Sequence, residues 1–194
     1  CNMSLNDEFL LEISPKEQDW LVSTATVVDG ILKLITSNPK RDSNKLNSFQ
    51  VKERKREILE IDNTPLRKFY LENNDLFIYK TVVNYFNAVN KDMFLNVPNN
   101  SFIKKTIGIQ ALFFILKTIL SKKLETDKNI SEEYFKEIVR HFKNIDFSDN
   151  FFTASGIGKS RIQNVILILL NYKQFDEIRK KEEIPDYKRI TGKN

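Results

Sequence analysis

Between Phe102 and Leu120 the chain is apolar almost all the way round a helix: Ile107, Ile109, Leu112, Phe113, Phe114, Ile115, Leu116 and Ile119 leave no clean polar face. A helix of that kind belongs at the centre of a domain, because a surface position would expose one greasy side to water. Its longest uncharged run, Thr106 to Leu116, is too short to span a bilayer. The segment therefore predicts a core helix around which the other elements pack. With 194 residues, 5 Gly, 5 Pro and 15 Phe, the chain favours long elements and few turns. Apolar residues at 41% and charged residues at 29% fit a globular composition rather than a disordered one. The expectation is an all-α fold, a single compact domain of about seven helices over residues 1–194.

The flanking signals support that reading. Ser14-Pro15-Lys16-Glu17 has the form of a capping box with proline at the first helical position. Ser23-Thr24 is expected to cap a helix with Val27, Val28, Ile31, Leu34 and Ile35 on one face, ended by Asn38-Pro39. Residues 40–48 are polar and read as an exposed loop, and residues 49–61 as a highly charged helix weakly anchored by Phe49, Ile58, Leu59 and Ile61. Asn63-Thr64-Pro65 opens a short helix through Leu71. A longer one to about Lys91 is expected to bury Phe77, Val82, Phe86 and Val89, with Ile78 and Tyr85 beside them. Pro98-Asn99-Asn100-Ser101 reads as a break and N-cap. Ser131-Glu132-Glu133 starts a helix with acids where its dipole favours them. Lys159 to about Tyr172 is expected to be helical, although Val165 to Leu170 alone would also suit a buried strand.

Charge is unevenly placed. The net charge is +5, and residues from Phe151 onward hold nine Lys/Arg against five Asp/Glu, which leaves +4 in the C-terminal quarter. Lys52-Glu53-Arg54-Lys55-Arg56 forms a second concentration, and residues 101–123 carry five Lys and no acid. Such patches suit a polyanion, and a solvated helix face has the same composition. One Cys and one His exclude a disulfide and a structural zinc site within this sequence. Cys1 reads as a point inside a longer chain, the lipid-bearing residue of a processed lipoprotein being the other reading. No signal peptide is visible, and a cytoplasmic location without membrane contact is expected.

Gly156-Ile157-Gly158-Lys159-Ser160 has the closing letters of a phosphate-binding P-loop, but Thr153 stands where that motif needs its first glycine. Gly156-Ile157-Gly158, with Gln163 and Val165 following, resembles instead the hairpin of the helix-hairpin-helix DNA-binding motif. There, glycine amides hold a phosphate at the start of the second helix. Lys159 and Arg161 would add charge and Ser160 a hydroxyl. Ile162 stands where a small residue is usual, and Ser148 to Ala154 is barely long enough for the first helix. A plain glycine turn is the other reading. His141 lies at the edge of its helix's apolar stripe with no marked partner. Glu132-Glu133 reads as a helix cap and Glu182-Glu183 as part of a solvated mixed-charge run. No catalytic constellation is visible and no cofactor is called for.

Val83-Asn84-Tyr85-Phe86-Asn87-Ala88-Val89 and Lys105-Thr106-Ile107-Gly108-Ile109-Gln110-Ala111-Leu112-Phe113 resemble the C-terminal helical region of DGQHR-domain proteins, which include relatives of DndB, the regulator of DNA phosphorothioation. The signature itself is absent: Asp29-Gly30-Ile31-Leu32 shares two letters and sits in a helical pattern, where Gly30 reads as a packing or hinge glycine. The resemblance implies the C-terminal part of a longer protein of DNA modification or phage defence, with no catalytic residue of its own. DNA would be contacted through Gly156, Gly158, Lys159, Ser160, Arg161, Lys104, Lys105, Arg54, Lys55 and Arg56. The competing expectation is a protein-interaction or self-association domain using an exposed apolar face between Leu76 and Val89.

Overall fold

The computed structural model describes residues 22–48, 55–124 and 129–193. The expected helix at Ser14-Pro15 lies outside them. The described residues form eight α-helices: α1 (Thr24–Ile35), α2 (Pro39–Leu46), α3 (Arg67–Leu71), α4 (Asp75–Asp92), α5 (Thr106–Lys123), α6 (Glu132–Arg140), α7 (Gly156–Leu169) and α8 (Ile184–Thr191). Short 3-10 turns join them, and there is no strand among the described residues, so Val165–Leu170 is helical.

The centre is α5, with Ile109, Ala111, Leu112, Phe113, Ile115, Leu116, Ile119 and Leu120 all buried. Each buried Ile, Leu or Phe contributes about 1.5–3 kcal/mol by leaving water, which is why a mostly apolar element ends in the middle; the expected all-round burial fails at Phe114, which is 42% exposed. The absent side chain of Gly30 lets α1 lie close: a Cβ there would come within 2.3 Å of the Phe113 ring. On another side α4 sends the Tyr85 hydroxyl to the Leu112 carbonyl at 3.1 Å and sets Phe86 against Phe113, centroids 4.8 Å apart. Helix α6 covers α4 through an edge-to-face Tyr85–Phe135 contact.

Several boundaries differ from expectation for identifiable reasons. Residues 39–46 are a helix, not a loop: Asn38 caps it by accepting from the Arg41 amide, Pro39 holds its first position, and Asp42 anchors it from below. The Asp42 carboxylate meets the Arg67 guanidinium at 2.5 Å with both side chains buried. Arg67 also donates to the carbonyls of Glu60 and Ile35. Those bonds hold the described part of the charged helix expected over 49–61, residues 55–61, in another conformation. In its described part the backbone is extended at Lys55 and Leu59 around one 3-10 turn, Arg56–Ile58. Ile61 is 86% exposed, no anchor at all.

In α1 the buried face is Thr26, Gly30, Leu34 and Ile35, and Val28 points outward. In α4 it is Ile78, Thr81, Val82, Tyr85, Ala88 and Val89, which leaves Phe77 and Phe86 only partly covered. Ser101 precedes a 3-10 turn, Phe102–Lys104, and Lys105 takes the cap position of α5. No helix of the described residues is long and apolar enough to cross a membrane.

Candidate nucleic-acid interface

Helices α5 and α7 run side by side in the same direction. At one end, the Phe102 amide ahead of α5 donates to the Phe147 carbonyl at 3.0 Å. Phe147 packs on Phe152, and the next residue, Thr153, abuts Gly158 in the first turn of α7. At the other end, the Lys122 ammonium of α5 lies 4.3 Å from the ring of Tyr172, just beyond α7. The two N-termini therefore share one end of the molecule. Neither first turn contains an acid, and each helix start carries about half a positive charge from its aligned peptide dipoles.

Three lysines stand at that end. The Lys104 ammonium donates to Asn99 Oδ1 at 3.1 Å, and that of Lys105 rests 4.6 Å from the Phe102 ring centre. Both partners are neutral, so both charges remain. Lys159 has no hydrogen-bond or ion-pair partner among the described residues. The acids nearby are mostly engaged. Asp149 is gripped by both terminal nitrogens of Arg189, at 2.8 and 3.1 Å, which holds its carboxyl below the ordinary range. Asp146 accepts from the amide and hydroxyl of Ser148 and is exposed. The end therefore keeps three lysines and two helix dipoles against two uncompensated carboxylate charges among the described residues, that of Asp146 and the one left over because Asp149 and Asp186 share Arg189.

The glycine turn differs from the hairpin that the sequence resembles. No helix forms over Ser148–Ala154, so there is no first helix to pair with α7. The helix begins at Gly156 itself, and Ser155 caps it by accepting from the Gly158 amide at 3.3 Å. Gly158 is buried because the 153–155 turn folds over it: a Cβ would stand 1.8 Å from the Thr153 carbonyl oxygen. Its glycine serves close packing, not ligand access. Gly156 is exposed with nothing near its α-carbon. The Ser160 hydroxyl donates back to the Gly156 carbonyl at 3.1 Å.

Two of the three arginines expected at the interface, Arg161 and Arg56, are held by carboxylates. Arg161 donates to the Phe151 carbonyl at 2.7 Å and to Glu183 Oε1 at 2.8 Å, with its guanidinium over the Phe151 ring. The Glu183 bond raises the Arg161 pKa, and the same bond lowers that of Glu183. Glu183 is not the solvated residue expected but only 9% exposed. Arg56 pairs with Asp75 at the N-terminal end of α4 and lies over the Tyr70 ring. The 18 residues of α4 span about 27 Å, and the turns leading to Lys104 leave from the opposite end. Lys55 sits beside Arg56, and Arg54 is outside the described residues.

The structure thus brings Gly156, Lys159, Ser160, Lys104 and Lys105 to one end and leaves Arg56 elsewhere. Glu183, Tyr187 and Phe151, which surround Arg161, carried no sequence signal beyond charge and aromaticity. His141 is an exposed C-cap of α6, and Glu132 pairs with Lys91 and Lys136. No group of three or more His, Cys, Asp or Glu among the described residues is placed to hold a metal ion. The chain matches no family model, no curated protein and no solved structure.

Proposed function

We propose that this chain is a DNA-contacting helical module of a DNA-modification or defence-associated protein similar to the DGQHR-domain group, without catalysis of its own. The observation that carries the reading is the shared end of α5 and α7. Two parallel helix starts free of acids stand there with Lys104, Lys105 and Lys159. Helix N-termini and lysines bind phosphate oxygens without reading bases, so affinity is electrostatic and largely independent of sequence. Arg161 and Arg56, each facing an internal carboxylate, stand outside this interface.

The test is a binding isotherm on duplex DNA at several salt concentrations. The expected result is measurable affinity at low salt, with log K falling linearly as log[salt] rises. No binding at low salt, or affinity indifferent to salt, contradicts the reading.

A second reading, a protein-interaction surface, has one observation in its favour. Leu76 and Tyr79 on α4 are 62% and 40% exposed and lie one turn apart on the same helix face. Light scattering of the chain tests it: concentration-dependent assembly lost in Leu76→Ser supports this surface, and a monomer at every concentration argues against self-association.

A further inference from the structure

We propose that the cradle around Glu183 is an oxyanion site occupied by the protein's own carboxylate. Donors from three places converge on it. Arg161 Nη2 of α7 lies 2.8 Å and Lys180 Nζ 3.4 Å from Glu183 Oε1. The Tyr187 hydroxyl of α8 is 3.5 Å from Oε2. Two of these donors, Arg161 and Tyr187, are oriented from behind, while Lys180 is 54% exposed. Lys173 donates to Asn164 Oδ1 at 2.9 Å, and Asn164 Nδ2 donates to the Tyr187 oxygen at 3.0 Å. The tyrosine proton is thereby left to point at Glu183. The Arg161 guanidinium is fixed by the Phe151 carbonyl and ring, and Tyr187 by an edge-to-face contact with the same ring at 5.0 Å.

A carboxylate fills this cradle incompletely. Arg161 Nε is buried and unpartnered, although a guanidinium presents donors in a fork that suits several acceptor oxygens at once. A tetrahedral oxyanion has the additional oxygens that a carboxylate lacks. In the native chain Glu183 is tethered beside its partners at an effective concentration on the order of millimolar or above, so free phosphate does not displace it. The ligand class is therefore a phosphate or sulfate group, excluded while Glu183 is in place. This site does not depend on DNA binding at the α5–α7 end, and its readout is inorganic phosphate alone.

The experiment is a thermal melt of Glu183→Ala, of the double variant Arg161→Gln/Glu183→Ala and of the unaltered chain, each titrated with inorganic phosphate at ionic strength held constant with chloride. A ligand that binds only the folded state raises its melting temperature with concentration. The melting temperature of Glu183→Ala is expected to climb with phosphate, while those of the double variant and the unaltered chain stay level. Equal responses in all three, or none in Glu183→Ala, overturn the proposal. If Glu183→Ala does not fold, Glu183→Ser, which also vacates the cradle and leaves a small hydroxyl there, is expected to give the same dependence. A level response there overturns the proposal as well.

Discussion

Positive charge is used in opposite ways at two places in this molecule. In the corner formed by α2, α3 and the turn at residues 56–62, the cations meet carboxylates, one of them deep in the fold and the others near the surface. Arg67 is 1% exposed against Asp42, while Arg41 and Lys45 converge on Glu60 and Arg56 meets Asp75. At the shared end of α5 and α7, Lys104, Lys105 and Lys159 face neutral groups or solvent. The corner has more cations but its charge is cancelled within the fold, whereas the α5–α7 end has fewer and presents them outward. A basic composition therefore does not locate a basic surface: the potential depends on which carboxylates return to meet the cations.

The largest expected effect is on the corner. Arg67→Ala leaves the Asp42 carboxylate buried without its partner and removes the donors to the Glu60 and Ile35 carbonyls. Breaking one side of a buried pair costs about 3–5 kcal/mol, and a denaturant melt reads it. A loss below about 1 kcal/mol, the range of a surface pair, would mean that the corner is not held by charge. The corresponding change at the other end is steric. Gly158→Ala forces a Cβ into the Thr153 carbonyl and is expected to cost about 1–3 kcal/mol, as overpacking does. Gly156→Ala, with open space around it, is expected to cost little. Equal losses for the two glycines would show that the 153–155 turn does not close on α7.

A smaller effect appears with acid. Burial opposes ionisation of Asp62, but the hydroxyl and amide of Thr64 and the amide of Ser37 outweigh it and bring its carboxyl from the ordinary 3.8 to about 2. A folded pKa below the unfolded one gives stability that is complete above the unfolded value and lost as pH falls through the folded one. The Asp62 contribution should therefore persist above about pH 4 and fade between 3.8 and about 2. Asp62→Asn is expected to flatten the fall in melting temperature over that window. An unchanged profile would remove Asp62 from the corner's electrostatics.

The contrast also explains what the sequence reveals. Helix α5 was legible because its apolar residues saturate the helix circumference, and no other environment accepts such a segment. The starts of α1 and α6 were legible because Ser23 and Ser131 are local signals that act within three residues. Helix α2 was missed: Asn38-Pro39 is a local start signal that also reads as the end of α1, PKRDSNKL has no apolar periodicity, and its anchor is an ion pair with Arg67, 25 residues away. The same applies at the candidate interface. Lys159 and Gly156 mark a helix start that local sequence announces. The neutralisation of Arg161 by Glu183, 22 residues downstream, and the parallel course of α5 and α7 depend on tertiary folding and leave no trace in spacing.

The most direct test of the central claim is the salt dependence of duplex DNA binding for the chain with Lys104, Lys105 and Lys159 all changed to Gln, beside a control carrying Arg56→Gln. Removing one lysine–phosphate pairing lowers the slope of log K against log[salt] by about 0.9. The triple variant is expected to bind more weakly, with a slope shallower by about 2.7 when all three pairings are removed, and the control to retain the original slope. Equal slopes in the triple variant and the unaltered chain, or a drop in the Arg56 control as large as in the triple variant, would contradict the account.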